Sequence, residues 1–324
     1  MLVAPNLARY TDRAIGATEL GHTPTAGVWQ FNSTRPGPSV LITALIHGNE
    51  ICGAWAASQL IEELWQSAIA VEQGQLTIAF CNLKAFEQFN PNDLHSSRFV
   101  DEDMNRVWSD DKLYNATSYE RQRANELLPF VNQADYLLDL HSMHDPGEPL
   151  ILTGLLARHF EFAQSLHLPG HIIVDAGHSE GVRLRDYNTK TTALLVECGF
   201  HLEPHSLVMA KHAIAAFLEA TKIVSNGAVF SGAFLKGCKQ VKPLAAAAVK
   251  VTHAVVAQSS HLVFTNEWHN MQLIAQAGTV IATEGGSEHV TPYNNCTLIM
   301  PSLKQLRAGV TVVRFAQNCV PTVR

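Results

Sequence analysis

Between residues 28 and about 221 the chain alternates short apolar, β-branched runs with longer stretches of helical periodicity. This is the pattern of an α/β fold with a mainly parallel or mixed sheet and helices on both faces. Strands are predicted over residues 28–31, 40–46, 76–82, 136–141, 150–153, 171–175 and 193–197. Helices are predicted over 53–66, 119–132, 156–166 and 206–220, the second opened by a capping box of Thr117 and Glu120. Past about Asn226 the helical period fades. Short β-rich runs such as VKVTHAVVA and VTVVRFA then alternate with Gly, Pro and Asn, which predicts a smaller all-β domain. The expected division is a larger α/β domain over residues 1–225 and a β-rich C-terminal domain over 226–324.

Three predicted strands end in side chains able to bind a metal or move a proton. LITALIHGNE runs apolar up to His47, and Glu50 follows three residues later at the start of a helix. In an open α/β sheet, ligands gather at the carboxyl ends of strands, and a helix start can turn a carboxylate back towards them. A His and a Glu so placed supply two of the three protein ligands of a catalytic zinc, which keeps a fourth position for water. With sixteen histidines in the chain such a pair also arises by chance, so context decides.

That context is YLLDLHSMHD, where a second apolar strand ends at His141. Asp139 lies two residues earlier on the same strand face and could orient a ligand, while His144 is a rival ligand from the loop. ALLVECGF ends a third strand in Glu197. An apolar wall raises a carboxylate there towards the range of a general base or acid; the other reading is a structural ion pair with a nearby arginine. The polar loop around RFVDEDMNR carries Arg98, Asn105 and Arg106, a set suited to gripping a carboxylate.

Composition narrows the partners. Of 324 residues, 47% are hydrophobic and only 16% charged, with a net charge of -6 and no long basic block; this argues against nucleic acid and for a small molecule. No apolar run reaches the ~18 residues needed to cross a bilayer, and the N-terminal MLVAPNLARYTDRAIG lacks the cationic start and apolar core of a secretory signal. The six cysteines have no C-x-x-C spacing and read as reduced. A cytoplasmic enzyme is expected, with a homo-oligomer left open.

H-G-N-E at 47–50, R-F-V-D-E-D-M-N-R at 98–106, D-L-H-S at 139–142 and V-E-C-G at 196–199 closely resemble, in that order, the succinylglutamate desuccinylase/aspartoacylase family, a relative of the zinc carboxypeptidases. The β-rich tail also looks like that family's C-terminal domain. The resemblance implies one zinc ion per chain, held by His47, Glu50 and His141. It implies that Arg98 polarises the scissile carbonyl, that Asn105 and Arg106 grip the substrate's α-carboxylate, and that Glu197 is the general base and acid. The reaction implied is hydrolysis of the amide bond of a small anionic N-acyl amino acid.

Aspartoacylases carry a further arginine and a tyrosine shortly upstream of the catalytic glutamate. Here GVRLRDYNTKTTALLVE offers Arg183, Arg185, Tyr187 and Lys190 with no unambiguous counterpart. Arg183 and Arg185 are the expected further substrate contacts, and acetyl-aspartate, succinyl-glutamate and an acylated diamino acid all stay open. Two other readings share the same residues. A metallocarboxypeptidase would release C-terminal residues from short peptides, and a non-catalytic metal-retaining binding protein would hold ligand without product. The latter has no use for Glu197 beside Arg98. A nucleophilic Cys198 is disfavoured because it points to the strand face opposite Glu197.

Overall fold

The apolar runs form strands close to where the sequence places them. β1 (Val28–Asn32), β2 (Ser39–Ala44), β3 (Gln75–Phe80), β4 (Tyr136–Met143), β5 (Leu150–Thr153), β6 (His171–Val174) and β7 (Thr192–Phe200) pair in the order β1-β3-β2-β4-β7-β5-β6. β3, β2, β4 and β7 run parallel, β1 and β5 join antiparallel, and β6 runs parallel to β5. The computed structural model describes residues 1–12, 19–178, 180–225, 233–238 and 248–319, so the expected boundary at 225/226 borders residues outside that set. No helix among the described residues is long and apolar enough to cross a membrane.

Among the described residues four longer helices cover the sheet: α1 (Ile51–Trp65), α2 (Tyr119–Gln133), α3 (Ala157–Ser165) and α4 (Pro204–Ala220). The period of two along each strand divides the apolar side chains between two cores. Val40, Ile42 and Ala44 of β2 and Leu138 and Leu140 of β4 share a core with α1, α3 and α4, whereas Leu41 and Leu137 meet Leu127 and Val131 of α2. Gly53 lets α1 approach closely, since a Cβ there would lie 2.8 Å from that of Leu140.

The β-rich tail continues the same sheet. β8 (Ala248–Val256) pairs in parallel with β6, and β14 (Thr311–Asn318), β13 (Cys296–Ile299) and β10 (Leu273–Ile274) follow antiparallel, giving one sheet of eleven strands among the described residues. β9 (Val263–Phe264), β11 (Val280–Glu284) and β12 (Ser287–Val290) form a second, antiparallel sheet. Leu152, Ile173 and Leu195 pack with Val249, Ile299 and Ala316, so an apolar cluster also joins the two regions.

One local expectation is corrected. Ser118, not Thr117, caps α2, its hydroxyl accepting from the Arg121 amide at 3.2 Å. Glu120 leaves its own helix end and accepts instead from the backbone amides of Val100 (2.7 Å), Asp101 (3.1 Å) and Glu102 (3.3 Å). Three donors to a buried carboxylate satisfy it better than the single amide that a capping box offers. Glu120 therefore fixes the loop that carries Arg98, Asn105 and Arg106.

The turn after β2 is equally constrained. Leu45, completely buried, takes a φ of 61°, a left-handed conformation that costs a non-glycine residue about 1–3 kcal/mol. At Gly48 a Cβ would lie 2.3 Å from the Ala85 carbonyl carbon and 2.6 Å from the Ser97 oxygen, so no side chain fits. Gly48→Ala is expected to destabilise the protein by about 1–3 kcal/mol, as overpacking does, seen as a lower urea midpoint. Gly147→Ala, whose Cβ meets nothing nearer than 3.4 Å, serves as the control. Equal midpoints would mean that the turn yields without cost.

Candidate metal centre and active site

β2, β4 and β7 lie side by side, with Ala44 paired to Leu140 and His141 paired to Glu197. His141 and Glu197 thus leave adjacent strands on one face, while Leu140, Val196 and Cys198 enter the core under α1 and α4. Cys198 is buried there, on the strand face opposite Glu197. Just beyond His141 the pairing slips by a bulge and Gly199 takes a φ of 117°, an irregularity of the kind that re-aims side chains beside active sites.

Glu50 lies between two imidazoles. Its Oε1 is 2.7 Å from His47 Nδ1 and its Oε2 is 2.8 Å from His141 Nδ1. The ring centroids are 5.2 Å apart. Among the described residues these three form a buried group whose ligand atoms all lie within 4.8 Å of one another. The outer nitrogens are held as well: Asp103 is 2.9 Å from His47 Nε2, and Asp139 is 2.8 Å from His141 Nε2. Asp139 in turn accepts from the Thr43 hydroxyl at 2.7 Å. These carboxylates assign the Nε2 atoms as proton carriers and leave the Nδ1 atoms facing Glu50, the arrangement in which imidazoles bind metal.

The electrostatics fit a cation site. Burial pushes the Glu50 carboxyl up, but His47 and His141 outweigh it and hold Glu50 well below the usual carboxylate range. For His141 burial acts downwards, and Asp139 and Glu50 overcome it to raise the imidazole well above its ordinary value.

His144, the rival ligand, is engaged elsewhere. Its Nε2 meets Arg98 Nη1 at 3.2 Å and Gln305 Nε2 at 2.8 Å, both donors, so the ring proton sits on Nδ1 and points to His201 Nε2 at 3.1 Å. His201 Nδ1 then faces the Ser142 hydroxyl at 2.8 Å. Burial, with Arg98 and His201 adding, takes His144 down to about 2, and burial takes His201 to about 4. Both are neutral links in a hydrogen-bonded chain.

The three candidate ligands line a cavity of about 150 Å³ together with Glu197, Arg98, Asn105, Arg106 and Arg183. Glu197 is buried, and its Oε2 has no hydrogen-bond partner. No arginine pairs with it among the described residues. Burial pushes its carboxyl up to about 8 against the opposing pull of His141 and Arg98, with Glu50 adding to the rise. Arg98 reaches Asp103 at 3.0 Å and Glu50 at 3.5 Å. Arg106 donates to the Asn105 carbonyl at 2.8 Å, and its nearest acid is Glu180 at 3.7 Å. Arg183 is held by Asp175 at 2.8 Å and Asp186 at 2.5 Å.

Arg185 does not line this cavity. It faces the core beside Leu41, Val131 and Leu137, with Asp186 at 2.8 Å. Arg183 caps the short helix Leu184–Tyr187 in an extended conformation while Arg185 lies in its first turn, so the two side chains leave the backbone differently although both reach Asp186. Three further residues of the site have little local mark of their role in the sequence: Asp103 as the partner of His47, and Gln305 and Arg314 from the C-terminal region. Arg314 lines the cavity from β14, with Nη2 2.7 Å from His178 Nδ1. Its signal was an arginine inside the apolar run VTVVRFA.

The model of the succinylglutamate desuccinylase/aspartoacylase catalytic domain matches residues 36–201, the segment that holds His47, Glu50, Arg98, His141 and Glu197. The chain belongs to this family. It is a family of hydrolases that remove acyl groups. Among solved structures, succinylglutamate desuccinylase from Vibrio cholerae superposes with a TM-score of 0.67 at 14% identity, covering 91% of this chain and 86% of that one. The succinylglutamate desuccinylase from Chromobacterium violaceum gives 0.66 at 17% identity over 96% and 97%. The product-bound ectoine utilization protein EutE (DoeB) from Ruegeria pomeroyi gives 0.59 at 14% identity over 89% and 88%. At these identities the likeness establishes the fold. A search of curated proteins finds no match.

Asp103 ties His47 to Arg98, and its removal strands a buried charge. Asp103→Ala is expected to cost the metal-free protein about 3–5 kcal/mol, the range for breaking a buried pair. Burial raises this carboxyl, but His47, Arg98 and Arg106 outweigh it and hold it well below the usual range. The stability it confers is therefore complete above the ~3.9 of an unfolded aspartate and lost as pH falls through the lower folded value. Urea midpoints should show a full deficit at pH 7 that shrinks below about pH 4. A deficit constant down to pH 3 would assign the effect to packing alone.

Proposed function

We propose that the protein is a zinc-dependent hydrolase that cleaves the amide bond of a small anionic N-acyl amino acid with an activated water. The observation that carries this reading is the buried carboxyl of Glu197, raised to about 8 and with its Oε2 unpartnered among the described residues, in one cavity with two imidazoles and a carboxylate whose ligand atoms converge within 4.8 Å. Two imidazoles and one carboxylate are a donor set suited to catalytic zinc. One zinc ion per chain, held by His47, Glu50 and His141, would supply a Lewis acid and lower the pKa of a bound water from 15.7 to about 7.

The protein groups do the rest. Glu197 accepts a proton from water and returns it to the departing amine nitrogen, for which a carboxyl poised near neutrality is suited. Arg98 donates to the developing oxyanion, and one such donor is typically worth about 2.7–4 kcal/mol. Asn105 and Arg106 hold the α-carboxylate, with Arg183 alongside. The products are a carboxylic acid and an amino acid. Gln305, Thr311 and Arg314 narrow the cavity from the C-terminal side, which favours a small substrate over the peptides of a metallocarboxypeptidase. Six unpaired cysteines are in keeping with a reducing, cytoplasmic setting.

Glu197→Gln is expected to keep its metal and lose about 10²–10⁴-fold in turnover, the usual contribution of a general base. His141→Ala is expected to lose the metal itself, measured by elemental analysis after dialysis. Wild-type turnover in the glutamine variant would remove Glu197 from the chemistry. A separate expectation concerns protons. Asp139 and Glu50 raise the His141 imidazole above its ordinary value in the metal-free protein, so zinc competes with a proton for Nδ1. Calorimetry at pH 7 in buffers of different ionisation heat should record at least one proton released per zinc, with affinity falling as pH drops. Heats independent of buffer would contradict this.

A further inference from the structure

We infer that the catalytic cavity continues into a second chamber that receives the substrate's acyl group, and that this group is an uncharged apolar or aromatic chain rather than a dicarboxylic one. The inference rests on the hydrolase reading above and specifies its substrate.

Size gives the first argument. The inner cavity, about 150 Å³, is smaller than the ~300–1,000 Å³ usual for small-molecule sites. An adjoining chamber of about 630 Å³ shares Met143, His144, Met300 and Ser302 with it. Phe264, Trp268, Pro146 and Leu303 complete much of its wall. The wall is built rather than draped. The Trp268 indole donates to the Ile281 carbonyl at 2.8 Å, Asn270 accepts from the Met300 amide at 2.9 Å, and Ser302 reaches Asp145 at 3.0 Å.

Position gives the second. His144 stands at the junction, 3.2 Å from the Arg98 guanidinium that lies 3.5 Å from Glu50. The chamber therefore opens beside the group that would polarise the carbonyl. Arg106, Arg183, His178 and Arg314 form a separate cluster on the wall of the inner cavity, around Asp175 and Glu180, and none of them borders the chamber. An amide bond over the metal centre, with its α-carboxylate on Arg106, directs its acyl chain into the chamber.

Charge gives the third. Lys304, the lysine of the chamber wall, is paired with Asp145 at 2.7 Å and donates to the His144 carbonyl at 2.6 Å. A succinyl tail entering here would meet a cation already neutralised and the acids Asp145 and Glu267, whereas an apolar chain would find Met143, Pro146, Phe264, Trp268, Met300 and Leu303.

The test is an acyl series (acetyl, butyryl, hexanoyl, benzoyl and succinyl) on one accepted amino acid with the zinc-loaded protein. Each buried methylene is worth roughly four-fold, so kcat/KM should rise about ten-fold or more from acetyl to hexanoyl, and succinyl should fall below butyryl. Trp268→Ala and, separately, Leu303→Ser should each lower the hexanoyl-to-acetyl ratio about five-fold, a ratio that reduced folding yield does not move. A flat series, or a preference for succinyl, overturns the chamber assignment and leaves the hydrolase reading standing. Calorimetry of the same compounds with Glu197→Gln separates the two claims. Binding that tightens with chain length, with no hydrolysis by the wild type, supports the chamber and overturns the hydrolase reading. Binding indifferent to chain length overturns the chamber.

Discussion

The Glu50 carboxylate bridges the Nδ1 atoms of His47 and His141, and the other charges of the centre are arranged around that contact. Asp103 and Asp139 hold the far nitrogens of the same two rings, so three carboxylates surround two imidazoles in a position almost without solvent. Buried charge of one sign is costly unless it is balanced. Arg98 balances part of it, through Asp103 and Glu50. In the metal-free protein the imidazoles, His141 above all, carry the rest of the balancing charge; a divalent cation between them and Glu50 would take over that role as the ligand proton leaves.

Rigidity comes from elements that have other reasons to be where they are. The parallel register that sets His141 opposite Glu197 is the one that buries Leu138 against the α1 side and Leu137 against α2; a shift by one residue would turn both faces inside out. Leu45 and Gly48 then fix the turn from β2 into α1, and Glu120 fixes the loop that bears Arg98. A strained φ at Leu45 persists because the surrounding core leaves it no alternative.

Legibility of the chain follows the range of the interactions. His47, His141 and Glu197 could be found because each terminates an apolar run, and a run that stops at a polar residue is a local signal. Cys198 could be assigned to the core by alternation alone. Contacts between distant segments left no such trace. Asp103 meets His47 across 56 positions, Glu120 abandons its helix for a loop about twenty residues upstream, and Arg185 turns inward because of a short helix that periodicity does not reveal. The parallel pairing of β8 with β6, which makes the β-rich tail part of the main sheet, is likewise a tertiary choice between strands that each look complete.

That pairing has a chemical consequence. Because β14 lies beside β8, the C-terminal region delivers Arg314 into the cavity as a fixed wall residue. Burial lowers its guanidinium to about 10, against Asp175, whose carboxylate lies 3.9 Å away. His178, pressed by burial and then by Arg314 and Arg106, is held well below the usual imidazole range and stays neutral, so it accepts from these arginines instead of repelling them. Of the cavity's arginines, Arg106 and Arg314 have the loosest acid partners, at 3.7 and 3.9 Å, whereas Arg98 and Arg183 are held at 3.0 Å or less. Among the described residues Arg106 Nε also lacks a hydrogen-bond partner, as do Arg98 Nε and Arg183 Nη2, and a desolvated guanidinium with an unfilled donor gains from an incoming carboxylate. Arg106 from the α/β region and Arg314 from the β-rich tail therefore wall one cavity, which the two regions build together.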